Sequence, residues 1–279
     1  MEGAVSALPT ASLLSPHLPQ FLVEPSSGWV GVIETNLRAS RSFPFSSKCL
    51  GVNFIETATK AMTSKEPITP LGRTVPEKDF VGVKAPMFSF QRLKGADPSL
   101  GVEMSSTGEV ACFGQDKNDA FLKALMSTGM KLPRQNILVS IQERLRTPET
   151  LRALETFSKL GYQLFATPQT AKFLQENNVA VTTLDYPESA TSDNNIIDDY
   201  ISRGDIHLVL MFSNQFSERV LFNYAIRRLA VDFGVPLITN IQVAEMFATA
   251  LEEADARATG DMPNADVVLD PRSLHEWYM

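Results

Sequence analysis

The chain has 279 residues, with 25 Lys and Arg against 32 Asp and Glu, a formal charge of −7, and 44% hydrophobic and 20% charged residues. That balance describes a globular chain of one or two domains and excludes wholesale disorder and a basic nucleic-acid-binding face. The two cysteines (Cys49 and Cys112) and the three separated histidines (His17, His207 and His275) exclude a disulfide scaffold and a multi-cysteine zinc module, and leave little for a histidine triad.

Residues 1–28 are rich in Pro, Ser, Ala and Leu and contain no basic residue, so neither the charged start of a signal peptide nor the arginines of an import peptide are present. We read them as disordered or as an abnormal beginning, and not as a targeting segment. WVGVIET, from Trp29, is β-branched and apolar and predicts a buried strand, followed by an irregular polar stretch through Lys48. Val52, Ile55, Ala58, Thr59 and Met62 then fall at helical spacing, and residues 64–80 form a Pro/Lys/Glu-rich loop. FVGVKAPMFSF predicts a strand stopped near Pro86, and STGEVACFG a second one. DKNDAFLKALMSTG opens on Asp and closes on Gly, the two signals of a capped helix.

From Lys131 the pattern alternates. Strands are predicted at 136–141, 163–167, 179–184, 207–212 and 235–239, with helical patterns between them; Pro148 sits at a first-turn position and Gly161 just past a helix end. Short apolar strands joined by helices predict an α/β, doubly wound parallel sheet. Ligands bind such sheets at the carboxyl ends of the strands. The division expected is 1–28, 29–130, 131–256 and a polar tail over 257–279. No run reaches the roughly 20 apolar residues that a membrane helix needs, so neither a membrane nor nucleic acid is an expected partner.

Two groups of residues carry chemistry. Glu34 and Asn36 lie two apart at a strand end and share a face, an arrangement that suits a hard cation; Arg38 and Arg41 follow and suit phosphate oxygens. A strand ending in a polar turn explains the same spacing. Thr167 and Thr170 flank a helix start at the carboxyl end of QLFAT, where hydroxyls and a helix N-terminus favour an anion; a plain N-cap explains them equally. Asn214 follows a strand, and Asn223 and Arg227 share a helix face. Cys49, Cys112 and His207 read as structural, and no glycine-rich phosphate loop is present.

Longer strings add a resemblance. GVIETNLRASRSFPFSSKCLGVNFIETATKAM resembles the end of the second ATP-grasp domain of the carbamoyl-phosphate synthetase large chain. KAPMFSFQRLKGADPSLGVEMSSTGEVACFG is similar to the segment that follows in that family. NYAIRRLAVDFGVPLITNIQVAEMFATAL resembles the family's methylglyoxal-synthase-like regulatory domain. The order is the family's own, from about Gly28 to about Leu251, whereas residues 1–28 do not resemble the family.

The resemblance implies an ATP-grasp remnant followed by an allosteric domain, within a ligase that makes carbamoyl phosphate from bicarbonate and ammonia or glutamine. It implies that Glu34 and Asn36 hold Mg²⁺ or Mn²⁺ against ATP, with Arg38 and Arg41 near phosphate. It implies that Thr167, Thr170, Tyr186, Asn214, Asn223 and Arg227 bind a small effector, N-acetyl-L-glutamate or a nucleotide or ornithine. Implied partners are the remaining synthetase domains and a glutamine amidotransferase. The flap, phosphate lysine and adenine pocket of an ATP-grasp domain precede the matching string in the family, so the chain is expected to be catalytically incomplete alone. In the effector site Tyr186 stands for a tryptophan, Met211 for an asparagine and Glu218 for a lysine.

A methylglyoxal synthase would need a catalytic aspartate at the anion site. Residues 167–170 and 213–215 supply no carboxylate, and Asp185 does not fit the pattern. A stand-alone small-molecule-binding module, or an inactive relic, is the competing class. DPRSLHEWYM resembles the tail of the mitochondrial, urea- or arginine-linked form rather than the pyrimidine-linked one; the expected compartment is mitochondrial in the first case and cytoplasmic in the second.

Overall fold

The computed structural model describes residues 18–40, 42–65, 78–101, 104–185, 196–212, 220–257, 272–273 and 275–277. Two compact units result, residues 1–79 with 274–279, and residues 80–273.

In the first unit, β1 (Leu18–Glu24) pairs antiparallel with β2 (Trp29–Asn36). The turn between them needs a left-handed residue, and Gly28, at φ +70°, provides it while its N–H donates to the Glu24 carbonyl at 2.9 Å. Residues 18–24 of the opening read as disordered are therefore a strand. Its signal is masked by Pro19, which a two-stranded ribbon tolerates because each strand has a free edge. β2 is a strand as expected but not a buried one, with Ile33 63% exposed and Trp29 56%. A two-stranded ribbon has no third element to cover both faces. Two helices follow, α1 (Ser42–Leu50) and α2 (Phe54–Thr63). The sequence predicts an irregular polar stretch here rather than α1. Pro44 falls in the first turn of α1, where the missing N–H has no intrahelical partner to lose. Asn53 caps α2 by accepting from the Glu56 N–H at 3.1 Å.

The second unit begins with the antiparallel pair β3 (Val81–Met87) and β4 (Gly108–Gly114). β3 runs through Pro86 rather than stopping there, again as half of a two-stranded ribbon. The helix α3 (Lys117–Ser127) packs on this ribbon, and Asp116 caps it by accepting from the Asn118 and Asp119 N–H groups at 2.8 and 3.0 Å. A Cβ on Gly114 would meet the Ala120 backbone nitrogen at 2.3 Å, so only glycine lets β4 turn this closely into α3.

The parallel sheet follows, with β5 (Asn136–Ile141), β6 (Gln163–Ala166), β7 (Thr182–Thr183), β8 (Leu208–Phe212) and β9 (Leu237–Ile238) in the order β7-β6-β5-β8-β9. All four pairings are parallel. Helices α4 (Pro148–Lys159), α5 (Pro168–Glu176), α6 (Ile196–Ser202) and α7 (Val220–Asp232) make the four crossovers, and α8 (Ile241–Arg257) follows the last strand. The period-2 alternation of β5 sends Ile137, Val139 and Ile141 to one face, where they pack among Leu154, Phe157, Leu174 and Phe247. Leu138 goes to the other face with Val209, Met211, Ile197, Ile201 and Ile226. Two apolar layers on one sheet are the doubly wound arrangement that the sequence predicts.

Polar bonds tie α3 to α8. Asn118 donates to Glu253 at 2.7 Å, and Arg257 to Asp116 at 2.6 Å. The Asp116 carboxyl is held below its usual range, first by the Asp119 N–H and then by Arg257, which together outweigh partial burial.

Candidate functional site

The carboxyl ends of β5, β6 and β8 meet at one edge of the sheet. There the Gln142 N–H donates to the Phe212 carbonyl at 2.9 Å, carrying the pairing one residue past β5. Thr167 and Thr170 lie at this edge, 2% and 1% exposed. The Thr167 hydroxyl is 3.3 Å from the Ser140 Oγ and 3.2 Å from the Thr170 Oγ1. The Thr170 hydroxyl accepts from the Ile141 N–H at 2.9 Å. Both hydroxyls thus cross-link α5 to the sheet and face inward. Thr167 stands at the N-cap of α5 without a side-chain capping bond, so the first turn of α5 presents backbone N–H groups at this edge. The Gln142 side-chain oxygen is buried with no hydrogen-bond partner among the described residues.

α7 begins beyond the carboxyl end of β8. Asn223 and Arg227 are both buried in the unit, at 6% and 5% exposure. The Arg227 guanidinium grips Asp97 with two bonds, Nε to Oδ1 at 2.8 Å and Nη2 to Oδ2 at 2.6 Å. Its Nη1 lies 3.8 Å from the Met211 sulfur. Burial alone would push the Asp97 carboxyl up. The hydrogen bonds from Arg227 and the Ser99 N–H outweigh it and hold the group below the usual carboxylate range. Tyr186, Asn214 and Glu218 lie outside the described residues, as does Arg41.

In the other unit, Glu34 and Asn36 share a face of β2, and the Asn36 amide donates to the Glu34 carboxylate at 2.9 Å. As oxygen donors they fit a hard cation, one carboxylate and one amide, but they are two where Mg²⁺ takes six. Among the described residues no group of three or more His, Cys, Asp or Glu gathers to complete such a set. Arg38 is exposed and donates to the Ala39 carbonyl at 3.3 Å.

At the opposite, amino-terminal edge of the parallel sheet a cleft of about 960 Å³ opens, lined among others by Lys131, Arg134, Tyr162, His207 and Leu251. His207 is structural, its Nδ1 accepting from the Asn136 N–H at 3.0 Å. Burial, then the charge of Arg134, lower the His207 pKa against a smaller opposing pull from Asp205. Burial, helped by Asp255, pushes the Tyr162 hydroxyl up to about 12.

Sequence reasoning did not link Arg227 to Asp97, Tyr224 to Gly95 or Arg228 to Ala96. The two members of each pair are more than 120 residues apart in the chain, and no local pattern links KGADPS to the RR pair of α7.

The MGS-like domain family matches residues 149–239, within this parallel α/β unit and consistent with its doubly wound arrangement. Relatives extend the match over most of the chain. The mitochondrial carbamoyl-phosphate synthase [ammonia] of Aquarana catesbeiana is 47% identical over 255 residues, covering 89% of this chain and 17% of the relative. The Homo sapiens protein of the same name is 45% identical over 249 residues, covering 87% of this chain and 16% of the relative. Multifunctional protein URA2 of Saccharomyces cerevisiae is 44% identical over 277 residues, covering 94% of this chain and 12% of the relative. Most of the chain is thus similar to a part of carbamoyl-phosphate synthases, and residues 149–239 match the MGS-like domain. It spans less than a fifth of the length of these relatives. They include both proteins named as mitochondrial and multifunctional ones. No helix among the described residues is long and apolar enough to cross a membrane.

Proposed function

We propose that this chain serves as the C-terminal, regulatory part of a carbamoyl-phosphate synthase, with residues 131–256 binding a small anionic effector at the carboxyl edge of the parallel sheet. The observation that carries this reading is the match to carbamoyl-phosphate synthases over 89% of the chain, at 47% identity. The geometry supports the edge chosen: the N-terminus of α5 and the buried Gln142 oxygen lie there, where Thr170 bonds Ile141 and the Gln142 N–H bonds the Phe212 carbonyl. Thr167 and Thr170 shape the edge from within, whereas Tyr186, Asn214 and Asn223 supply its polar and aromatic contacts to N-acetyl-L-glutamate, a nucleotide or ornithine.

In the same reading, Glu34 and Asn36 contribute two oxygen ligands to a Mg²⁺ or Mn²⁺ ion against ATP, with Arg38 and Arg41 near phosphate. The rest of that site comes from the parent enzyme's other domains, which are this chain's partners together with its source of ammonia. The compartment follows the parent, mitochondrial for an ammonia-type enzyme.

Calorimetric titration of the full chain with N-acetyl-L-glutamate, then UMP, IMP and ornithine, tests the effector reading. Saturable binding of one of them, weakened at least about tenfold in Asn214→Ala, supports it, that factor being the loss of one hydrogen bond to a charged group. A folded chain that binds none of them at millimolar concentration contradicts it.

A further inference from the structure

The connection between β3 and β4 is not a loose loop. Its first part, residues 88–99, lies along α7 and is held there by three side chains of that helix. Arg227, whose side chain is 6% exposed, forms the two-pronged ion pair with Asp97. Arg228, 9% exposed, directs one guanidinium nitrogen at three strap carbonyls, those of Phe90 and Leu93 at 3.1 Å and of Ala96 at 3.0 Å. Its other terminal nitrogen is fixed by Asp232 at 2.6 Å. The Tyr224 hydroxyl donates to the Gly95 carbonyl at 2.8 Å. The segment is also folded on itself, with Arg92, Leu93 and Ala96 N–H groups donating to Ser89, Phe90 and Leu93 carbonyls at 2.9, 3.2 and 3.2 Å.

This is more than a loop needs to close a ribbon. Two almost fully buried guanidinium groups have been taken from water to read one strap, and a buried cation is costly unless its partners stay in place. The fixed fork of arginine makes such a contact all-or-none in geometry, unlike an apolar patch that slides. α7 also touches the sheet, through Arg227 Nη1, 3.8 Å from the sulfur of Met211 in β8.

We propose that segment 88–99 is a latch, seated by Arg227, Arg228 and Tyr224, that couples any displacement of α7 to the β3–β4 ribbon. The residue that sets the latch is Asp97, and Arg227 is its receiver rather than an open anion-binding group. The latch stands on these contacts alone. Its use by an effector at the carboxyl edge rests on the function proposed above.

Amide hydrogen exchange on the full chain without ligand tests the latch apart from that function. Asp97→Asn removes the charge and keeps the shape. Exchange in 88–99 and along α7 should rise about tenfold or more, with β5 and β6 unchanged, because the latch opens locally rather than with the whole unit. Asp97→Glu should restore most of the protection, and Tyr224→Phe should produce a smaller rise centred on Gly95. Unchanged exchange in 88–99 in Asp97→Asn overturns the latch. A rise that includes β5 and β6 equally also overturns it, since Asp97 would then be an ordinary contributor to global stability.

Discussion

Ile33 and Ile137 belong to strands with similar apolar sequences, yet Ile33 is 63% exposed and Ile137 is 0%. The difference lies in what each strand is given to pack against. β2 has one hydrogen-bonded neighbour in a two-stranded ribbon, whereas β5 sits at the centre of five parallel strands with helices on both faces. A ribbon of two strands is marginal by itself, and its register is set mainly by backbone pairing and its turn. A central parallel strand is set by packing. An apolar run therefore announces a strand in both places, but burial depends on residues far away in sequence.

Core truncation should separate the two regions most widely. Phe247 is 0% exposed and packs in the layer that contains Phe157. Phe247→Ala should cost about 3–5 kcal/mol, read as a lowered urea midpoint of the second unit. Ile33→Ala should stay within about 0.5 kcal/mol. A cost for Ile33→Ala comparable to that of Phe247→Ala would break the comparison.

The hydroxyl links at the carboxyl edge come next. Thr170→Val keeps the volume but leaves the Ile141 N–H without its acceptor. It should destabilise the second unit by about 1–3 kcal/mol, the cost of one buried unsatisfied donor. Thermal unfolding checks it, and a neutral result would mean that the edge is wetter than its burial implies.

Asp116→Ala removes the cap of α3 and the partner of Arg257, and should cost about 1 kcal/mol at neutral pH. The folded-state Asp116 pKa is lowered, so its contribution is present above the unfolded value, about 4, and is lost as pH falls through the lowered value. The wild type and the variant should therefore converge in stability below about pH 4.

The smallest effect is set by His207. Its folded-state pKa is lowered, so below about 6.5 the unfolded chain binds the extra proton first and stability falls with pH until the lowered value is passed. His207→Gln should flatten that part of the pH profile. A wild-type profile that rises as pH falls through this range would reverse the assignment of Arg134 and burial as the dominant influences.

The parallel sheet was legible because its information is local: period-2 apolar runs, Pro148 opening α4 and Gly161 closing it. The family resemblance, carried by long strings such as NYAIRRLAVDFG, pointed to the same region. The strand at 18–24 and the helix at 42–50 lie in stretches whose polar and Pro/Ser-rich composition hides them, and β3 continues through Pro86 because a free ribbon edge accommodates proline. At the candidate site, Thr167 and Thr170 lie at the carboxyl end of β6 as the sequence predicts, but the sequence cannot tell that their hydroxyls point inward. Arg227 was assigned to an effector because Asp97, 130 residues away, is invisible to helix spacing.

The central claim is that this domain recognises its effector at the carboxyl edge of the parallel sheet. Amide exchange with and without N-acetyl-L-glutamate tests it directly, because the two ends of the sheet are covered by different segments. Slowed exchange over 140–142, 166–171 and 208–223, with no change at 129–134 and 204–207, is the result predicted. Protection confined to 129–134 and 204–207, the lining of the amino-terminal cleft, would contradict it.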